Sequence, residues 1–228
     1  TNLKILYHYD IMVKICNKYE SENYNDYFSY FNFPLSDFQK WAIESIVTDN
    51  HCLVTAHTGS GKTLPAEFAI QYFKKLGKRV IYTGPIKALC NQKLYDFRNK
   101  YPEISFGILT GDIKDNPDAD VLIMTTEILR NTLFNKEVIQ KDKETLNNSP
   151  LLSFEMDFDN QLGAVIFDEV HYIGDEDRGS VWEQSLILLP PHIQLVMLSA
   201  TIDKPENFAN WIQDLKKTPN NNKEVYLC

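Results

Sequence analysis

Cysteine is scarce. Four residues stand at 16, 52, 90 and 228, with no C-x-x-C pair and no Cys/His cluster at zinc spacing. A disulfide framework and a zinc module are thereby excluded, and the expectation is reduced thiols in an intracellular protein. Long apolar runs are missing too. Leu186–Leu189 and Leu195–Leu198 are among the longest, far short of the ~20 residues of a membrane-spanning helix. The opening T-N-L-K-I-L-Y-H-Y-D contains charge and tyrosine where a signal peptide needs an unbroken apolar stretch. It also has no initiating Met, so a piece of a longer protein is expected. Basic charge is not in excess: 31 acidic against 23 basic side chains give a net charge of -8. Polyanion binding by the whole surface is excluded on that ground, although a local basic track is not, because binding follows the local field.

What is present suits a folded domain. Apolar residues make up 43% of 228 positions, ample for a core without staples. Apolar residues at Leu3, Leu6, Tyr7, Ile11, Ile15 and Tyr19 recur at helical spacing and predict a helix over Leu3–Tyr19. Ser36 reads as the N-cap of a helix Asp37–Val47. From residue 51 short β-branched runs alternate with amphipathic stretches. The strands expected are Cys52–Thr55, Val80–Thr83, Ser105–Leu109, Val121–Met124, Ala164–Phe167 and Gln194–Leu198. The helices expected between them include Leu64–Leu76 and Ile86–Tyr101. Strands apolar throughout, alternating with helices, predict an α/β fold with a mostly parallel sheet covered on both faces. Residues near 135–160 break the rhythm with charge, then Asn/Ser/Pro, then acidic-aromatic residues, and predict a surface insertion. Pro219–Lys223 predicts another exposed loop.

The stretch Ala56–Thr63, A-H-T-G-S-G-K-T, follows a strand and opens a helix, the context a phosphate-binding loop requires. Gly59 and Gly61 allow a tight turn in which the N–H groups of Thr58, Gly59, Ser60, Gly61 and Lys62 face a phosphate, and the helix N-terminus adds partial positive charge. Lys62 is placed to reach the outer phosphates and Thr63 to put its hydroxyl on Mg²⁺. Ala56 stands where the strict pattern has glycine. A second acidic half is expected where the apolar strand Ala164–Phe167 ends in Asp168-Glu169-Val170-His171, because parallel sheets bind ligands at their carboxyl ends. There Asp168 would hold Mg²⁺ and Glu169 would orient and deprotonate the attacking water.

Together these segments resemble the superfamily 2 helicases of the DEAD/DExH type, from Phe33 onward. D-E-V-H at Asp168–His171 is similar to that family's second motif, and S-A-T at Ser199, Ala200 and Thr201 to its third. The resemblance implies a RecA-like P-loop NTPase fold, with residues 33–228 as the first motor domain and residues 1–32 as a short helical extension. It implies ATP and Mg²⁺ as cofactors, and a link from Ser199 and Thr201 to His171 that couples hydrolysis to the strand. F-P-L-S-D-F-Q, Phe33–Gln39, looks like the adenine-reading segment. The Gln39 amide carries both a donor and an acceptor for adenine, and Phe33 is placed to stack on the ring.

P-I-K-A-L-C-N-Q-K from Pro85, L-T-G-D from Leu109 and M-T-T-E-I-L-R-N from Met124 look like the family's strand-gripping motifs. They nominate Pro85, Lys87, Asn91, Gly111, Asp112, Thr125, Thr126 and Arg130 for nucleic-acid binding through phosphate and sugar, contacts that carry little sequence information. R-G-S-V-W-E at Arg178–Glu183, with G-I-L-T-G-D-I-K-D-N-P-D-A-D, is similar to the Ski-like RNA helicases that feed the exosome. That resemblance implies ATP-driven 3′-to-5′ unwinding of RNA, and a second motor domain with arginine fingers outside these 228 residues. It therefore implies that this stretch alone is a weak ATPase. Its partners would be single-stranded nucleic acid, that second domain and an exosome-like complex, with no membrane. A DNA helicase of the same superfamily and a non-catalytic nucleotide-binding scaffold stay open. A P-loop kinase is disfavoured by the S-A-T strand and the Gln39 segment.

Overall fold

In a computed structural model the described residues are 13–141 and 156–228. They build one sheet of nine strands, β1 (Lys14–Ile15), β2 (His51–Thr55), β3 (Arg79–Gly84), β4 (Phe106–Leu109), β5 (Lys114–Asp115), β6 (Val121–Thr125), β7 (Leu162–Phe167), β8 (Gln194–Ser199) and β9 (Val225–Leu227). The strand order is β1-β9-β2-β8-β7-β3-β6-β4-β5. Every pairing is parallel except the β4–β5 hairpin.

Seven α-helices are described: α1 (Asn25–Phe28), α2 (Asp37–Val47), α3 (Leu64–Lys75), α4 (Lys87–Lys100), α5 (Thr126–Lys141), α6 (Gly179–Leu188) and α7 (Pro205–Lys216). A 3₁₀ turn follows β7 at Val170–Gly174.

The period of two in each strand sorts side chains between two cores. Leu53, Ile81, Leu122, Val165 and Met197 face one side, packed with α5, α6 and α7 residues such as Leu129, Trp182 and Ile212. Their neighbours Val54, Tyr82, Ile123, Ile166 and Val196 face the other, packed with Ile43 of α2, Phe68 of α3 and Phe97 of α4. A sheet buried on both faces needs apolar residues at every position, and β6 and β8 are buried along their whole length. Between β2 and β3 in space lie β8 and β7, which come later in the chain. That interleaving sets the loops after β2, β7 and β8 side by side at one carboxyl edge of the sheet.

One expectation is corrected and two are refined. Residues 3–12 of the proposed Leu3–Tyr19 helix lie outside the described residues. Within them Lys14 and Ile15 form a strand that pairs with Tyr226 and Leu227, so the tertiary partner overrides the helical spacing. Part of the 135–160 insertion also lies outside the described residues. Its near end continues α5 to Lys141. At its far end Met156 and Phe158 are buried in the core. The apolar residues Met156 and Phe158 are thus anchors and not surface. The tail is a loop exposed at Pro219, Asn220 and Asn222, as expected, and it is pinned by Asn221, which is buried and whose amide donates to Pro191 O (2.7 Å) and Lys216 O (2.9 Å). It leads into β9, which the sequence pattern does not announce.

Candidate nucleotide and nucleic-acid site

The loop after β2 turns on two glycines in the left-handed region, Gly59 (φ 86°) and Gly61 (φ 85°). At Gly61 the reason goes beyond φ, because a Cβ there would sit 2.6 Å from Gln39 Nε2. Gln39, one turn into α2, donates that nitrogen to Gly61 O at 3.2 Å, while its Oε1 accepts the Ser36 N–H at 2.9 Å. The Gln39 amide, expected to read adenine, is here the strut between the helix start and the two-glycine loop. Phe33 is half exposed and leans on Phe31, ring centroids 5.8 Å apart. Ser60 donates its hydroxyl back to His57 O (2.7 Å), closing the turn. Thr63 is the residue at the start of α3, with Pro65 in the first helical turn, where its missing N–H costs nothing.

β7 delivers the acidic half. Asp168 is buried at the strand end, and its Oδ1 accepts the N–H of Glu169 at 3.0 Å. Glu169 has φ 55°. A non-glycine residue pays roughly 1–3 kcal/mol for that region, and here the bend brings the carboxylate to the loop. Lys62 Nζ donates to Glu169 Oε1 at 2.9 Å and Oε2 at 2.8 Å. Two segments that the sequence separates by 107 residues thus meet at one point. Lys62 and Asp168 are both buried, so the charges lie where electrostatics are strong.

Two side chains around Asp168 were not nominated from the sequence. Tyr82 of β3, fully buried, donates its hydroxyl to Asp168 Oδ2 at 2.5 Å. Burial first, then the Asp168 charge, pushes that phenol well above its ordinary range. Lys93 of α4 sits 3.9 Å from the same oxygen. The available signal was positional: a lone phenol in an apolar strand that the topology sets beside β7.

The expected coupling link is not formed. His171 Nδ1 lies 3.4 Å from Glu169 Oε2. It is buried without a hydrogen-bond partner, as is Ser199 Oγ. β8 ends at Ser199, and Thr201 lies past it on the exposed surface. Ser199 instead accepts the N–H of Ala56 at its carbonyl, 3.1 Å away, and so ties the third motif to the root of the phosphate loop.

Farther along the same edge opens a cleft of roughly 450 Å³, lined by Pro85, Ile86, Lys87, Gly111, Thr125 and Arg178 among others. Arg178, seen in the sequence only as part of the R-G-S-V-W-E run, faces this cleft. Lys87 Nζ is paired with Asp112 Oδ1 at 2.8 Å, and Thr110 Oγ1 donates to that same oxygen at 2.8 Å. Those two hydrogen bonds, Lys87's first, hold the Asp112 carboxyl below the usual carboxylate range. Thr126 is buried and its hydroxyl points inward to Gly84 O at 3.4 Å. The Thr126 N–H at the helix start, not its side chain, is what it can offer a phosphate. Asn91 is exposed on α4, and Arg130 is half-buried on α5 with its Nε unpartnered; neither lines the cleft.

A two-glycine loop at the carboxyl end of a parallel sheet, an Asp-Glu pair two strands away and a cleft on the next loops are the arrangement of a RecA-like P-loop domain. The DEAD/DEAH box helicase family matches residues 36–208, and the chain belongs to that family. The antiviral helicase SKI2 of Saccharomyces cerevisiae is 43% identical over 195 residues, which are 86% of this chain and 13% of that protein. Superkiller complex protein 2 of Homo sapiens is 46% identical over 190 residues, 83% of this chain and 13% of its own. The exosome RNA helicase MTR4 of Homo sapiens is 41% identical over 187 residues, 82% and 16% respectively. The chain therefore spans a small fraction of the length of these relatives. The crystal structure of the DUF1998 helicase MrfA bound to DNA shares the fold, with a TM-score of 0.61 at 18% identity over 95% of this chain and 30% of that one.

Proposed function

We propose that this chain is the ATP-binding motor unit of an ATP-dependent RNA helicase of the Ski2/Mtr4 type. Residues 33–228 would form the unit and residues 1–32 an extension whose strand β1 is laid on the sheet edge. The observation that carries the reading is the meeting of Lys62 with Glu169 beside Asp168, at the mouth of the two-glycine loop.

The donor set fits Mg²⁺. It offers hard oxygens from the Thr63 hydroxyl and the Asp168 carboxylate, and Mg²⁺ takes few protein ligands because phosphates and water supply the rest. Accordingly, among the described residues no cluster of three or more His, Cys, Asp or Glu forms a closed metal cage. When bound, the ion would neutralise charge on the phosphate oxygens. The remaining work falls to this chain. Loop N–H groups bind the phosphates, Lys62 exchanges Glu169 for the terminal phosphate, and Glu169, once released, orients a water in line with it.

The cleft beyond Pro85 suits the backbone of a single strand, gripped without reading bases. RNA is favoured over DNA by the named RNA helicase among the relatives. A second motor domain and an exosome-related assembly would be the partners, inside the cell. Among the described residues no helix is long and apolar enough to cross a membrane.

In the full-length protein, Glu169→Gln is expected to retain ATP binding and to lower RNA-stimulated turnover by about 10²–10⁴-fold. Unchanged turnover would favour the non-catalytic scaffold instead. Stimulation by single-stranded RNA exceeding that by single-stranded DNA is the expected result of the parallel assay, and the reverse would assign the motor to DNA.

A further inference from the structure

We infer that Tyr82 is a positioning residue for Asp168, a role that rests on the ATP·Mg²⁺ reading above and extends it to a residue outside the family motifs quoted from the sequence. Tyr82 lies in the middle of β3, which pairs directly with β7, Tyr82 opposite Ile166. From there its hydroxyl passes along the sheet to Asp168 Oδ2 at 2.5 Å. The ring itself is fixed, edge-on to Phe97 of α4 with centroids 5.4 Å apart, and no part of it reaches solvent.

The two oxygens of Asp168 are thus held separately, Oδ1 by the Glu169 N–H at 3.0 Å and Oδ2 by the phenol. A carboxylate has about four lone-pair sites. Two are taken by these donors and fix its plane, and the remaining two are left for a cation. A carboxylate that must accept from a hydrated cation works best when its rotation is already arrested, and partners of this kind typically govern metal affinity by about 10–100-fold. Lys93, 3.9 Å from Oδ2, adds charge there without a hydrogen bond, so it cannot take over the directional part of the task.

The substitution that isolates the hydroxyl is Tyr82→Phe, which keeps the ring, the volume and the Phe97 contact and leaves no buried donor orphaned. Its comparison is Phe97→Leu, which disturbs the ring packing and leaves the hydroxyl. The measurement is binding of a fluorescent non-hydrolysable ATP analogue to the full-length protein, titrated with MgCl₂ and repeated in EDTA. The expected result for Tyr82→Phe is a half-saturating Mg²⁺ concentration higher by about 10–100-fold, with binding in EDTA as in wild type, and no such shift for Phe97→Leu. A wild-type Mg²⁺ dependence in Tyr82→Phe overturns the inference, and equal shifts in the two variants overturn it in favour of packing. Wild-type protein that binds no analogue, with or without Mg²⁺, overturns the underlying nucleotide reading, and wild-type binding indifferent to Mg²⁺ overturns its metal part; both are distinguishable because they need no variant.

Discussion

At the scale of single residues, the cleft carries a charge that is already answered. Lys87, expected from the sequence to grip a phosphate, is paired with Asp112, nominated for the same face. On the proposed function, a strand that reaches Lys87 would displace it from Asp112. Asp112→Asn removes the competitor and leaves Thr110 an acceptor. It is expected to tighten single-stranded RNA binding by the full-length protein and to steepen its salt dependence by about one counterion. Weaker binding would show that Asp112 itself contacts the strand. Gly61→Ala is expected to abolish nucleotide binding while leaving a folded protein, because its Cβ meets the Gln39 amide and its φ is that of glycine.

His51 shows a different residue-scale effect. It accepts the Leu195 N–H at Nδ1 (3.0 Å) in the core. Burial first, then the charges of Lys223 and Lys216, lowers its pKa from 6.5 to about 3. Between those values the unfolded chain binds a proton that the fold excludes, so stability is complete above pH 6.5 and falls as the pH falls toward 3. His51→Asn keeps an acceptor for Leu195, and its urea midpoint is expected to lose less between pH 7 and pH 5 than the wild-type midpoint does. An equal loss in both proteins would assign the acid sensitivity elsewhere.

At the scale of elements, the helices explain signatures that the sequence shows without their cause. The glycine of R-G-S-V-W-E, Gly179, opens α6 so close to the 3₁₀ turn that a Cβ would fall 2.2 Å from Ile173 O. The run fixes how α6 leaves the Asp-Glu loop and places Arg178 at the cleft. The other end of α6 is held by Lys216 of α7, buried, whose ammonium donates to the carbonyls of Leu186 and Leu189. Burial lowers its pKa from 10.5 to about 8. Between pH 8 and 10.5 the unfolded chain holds a proton the fold has released, so this group makes stability rise with pH across that window. Lys216→Met has no such proton to release. Denaturant titrations should find the variant's stability relative to wild type highest at pH 7–8 and declining toward pH 10.5. A constant difference would contradict the assignment.

Legibility in the sequence followed the same physics. The strands β2, β3, β6, β7 and β8 were readable to within two residues because burial on both faces demands unbroken apolar runs, and α2 was readable from Ser36 onward. β1 and β9 were not, since each is two or three residues long and exists through its partner. The loop and the Asp-Glu pair were readable from glycine spacing and strand context. Tyr82 was not, because its role depends on which strand lies beside it. The left-handed bend at Glu169 was not, because its residue type gives no sign of it.

At the scale of the whole molecule, the described sheet gathers the two-glycine loop, the Asp-Glu pair and the cleft along one edge. On the proposed function, cations from a second motor domain would share with Lys62 the charge of the transition state. An isolated chain is therefore expected to hydrolyse ATP about 10³–10⁵-fold more slowly than the full-length protein with RNA. Comparable turnover by the isolated chain would contradict that division of labour.

The most direct test of the account is a crystal structure of the full-length protein with Mg²⁺ and a non-hydrolysable ATP analogue. The account predicts triphosphate in the loop of residues 58–63, Lys62 Nζ moved from Glu169 onto the terminal phosphate, and the metal between Thr63 and Asp168. A triphosphate bound elsewhere, or one bound here with Lys62 still seated on Glu169, would contradict it.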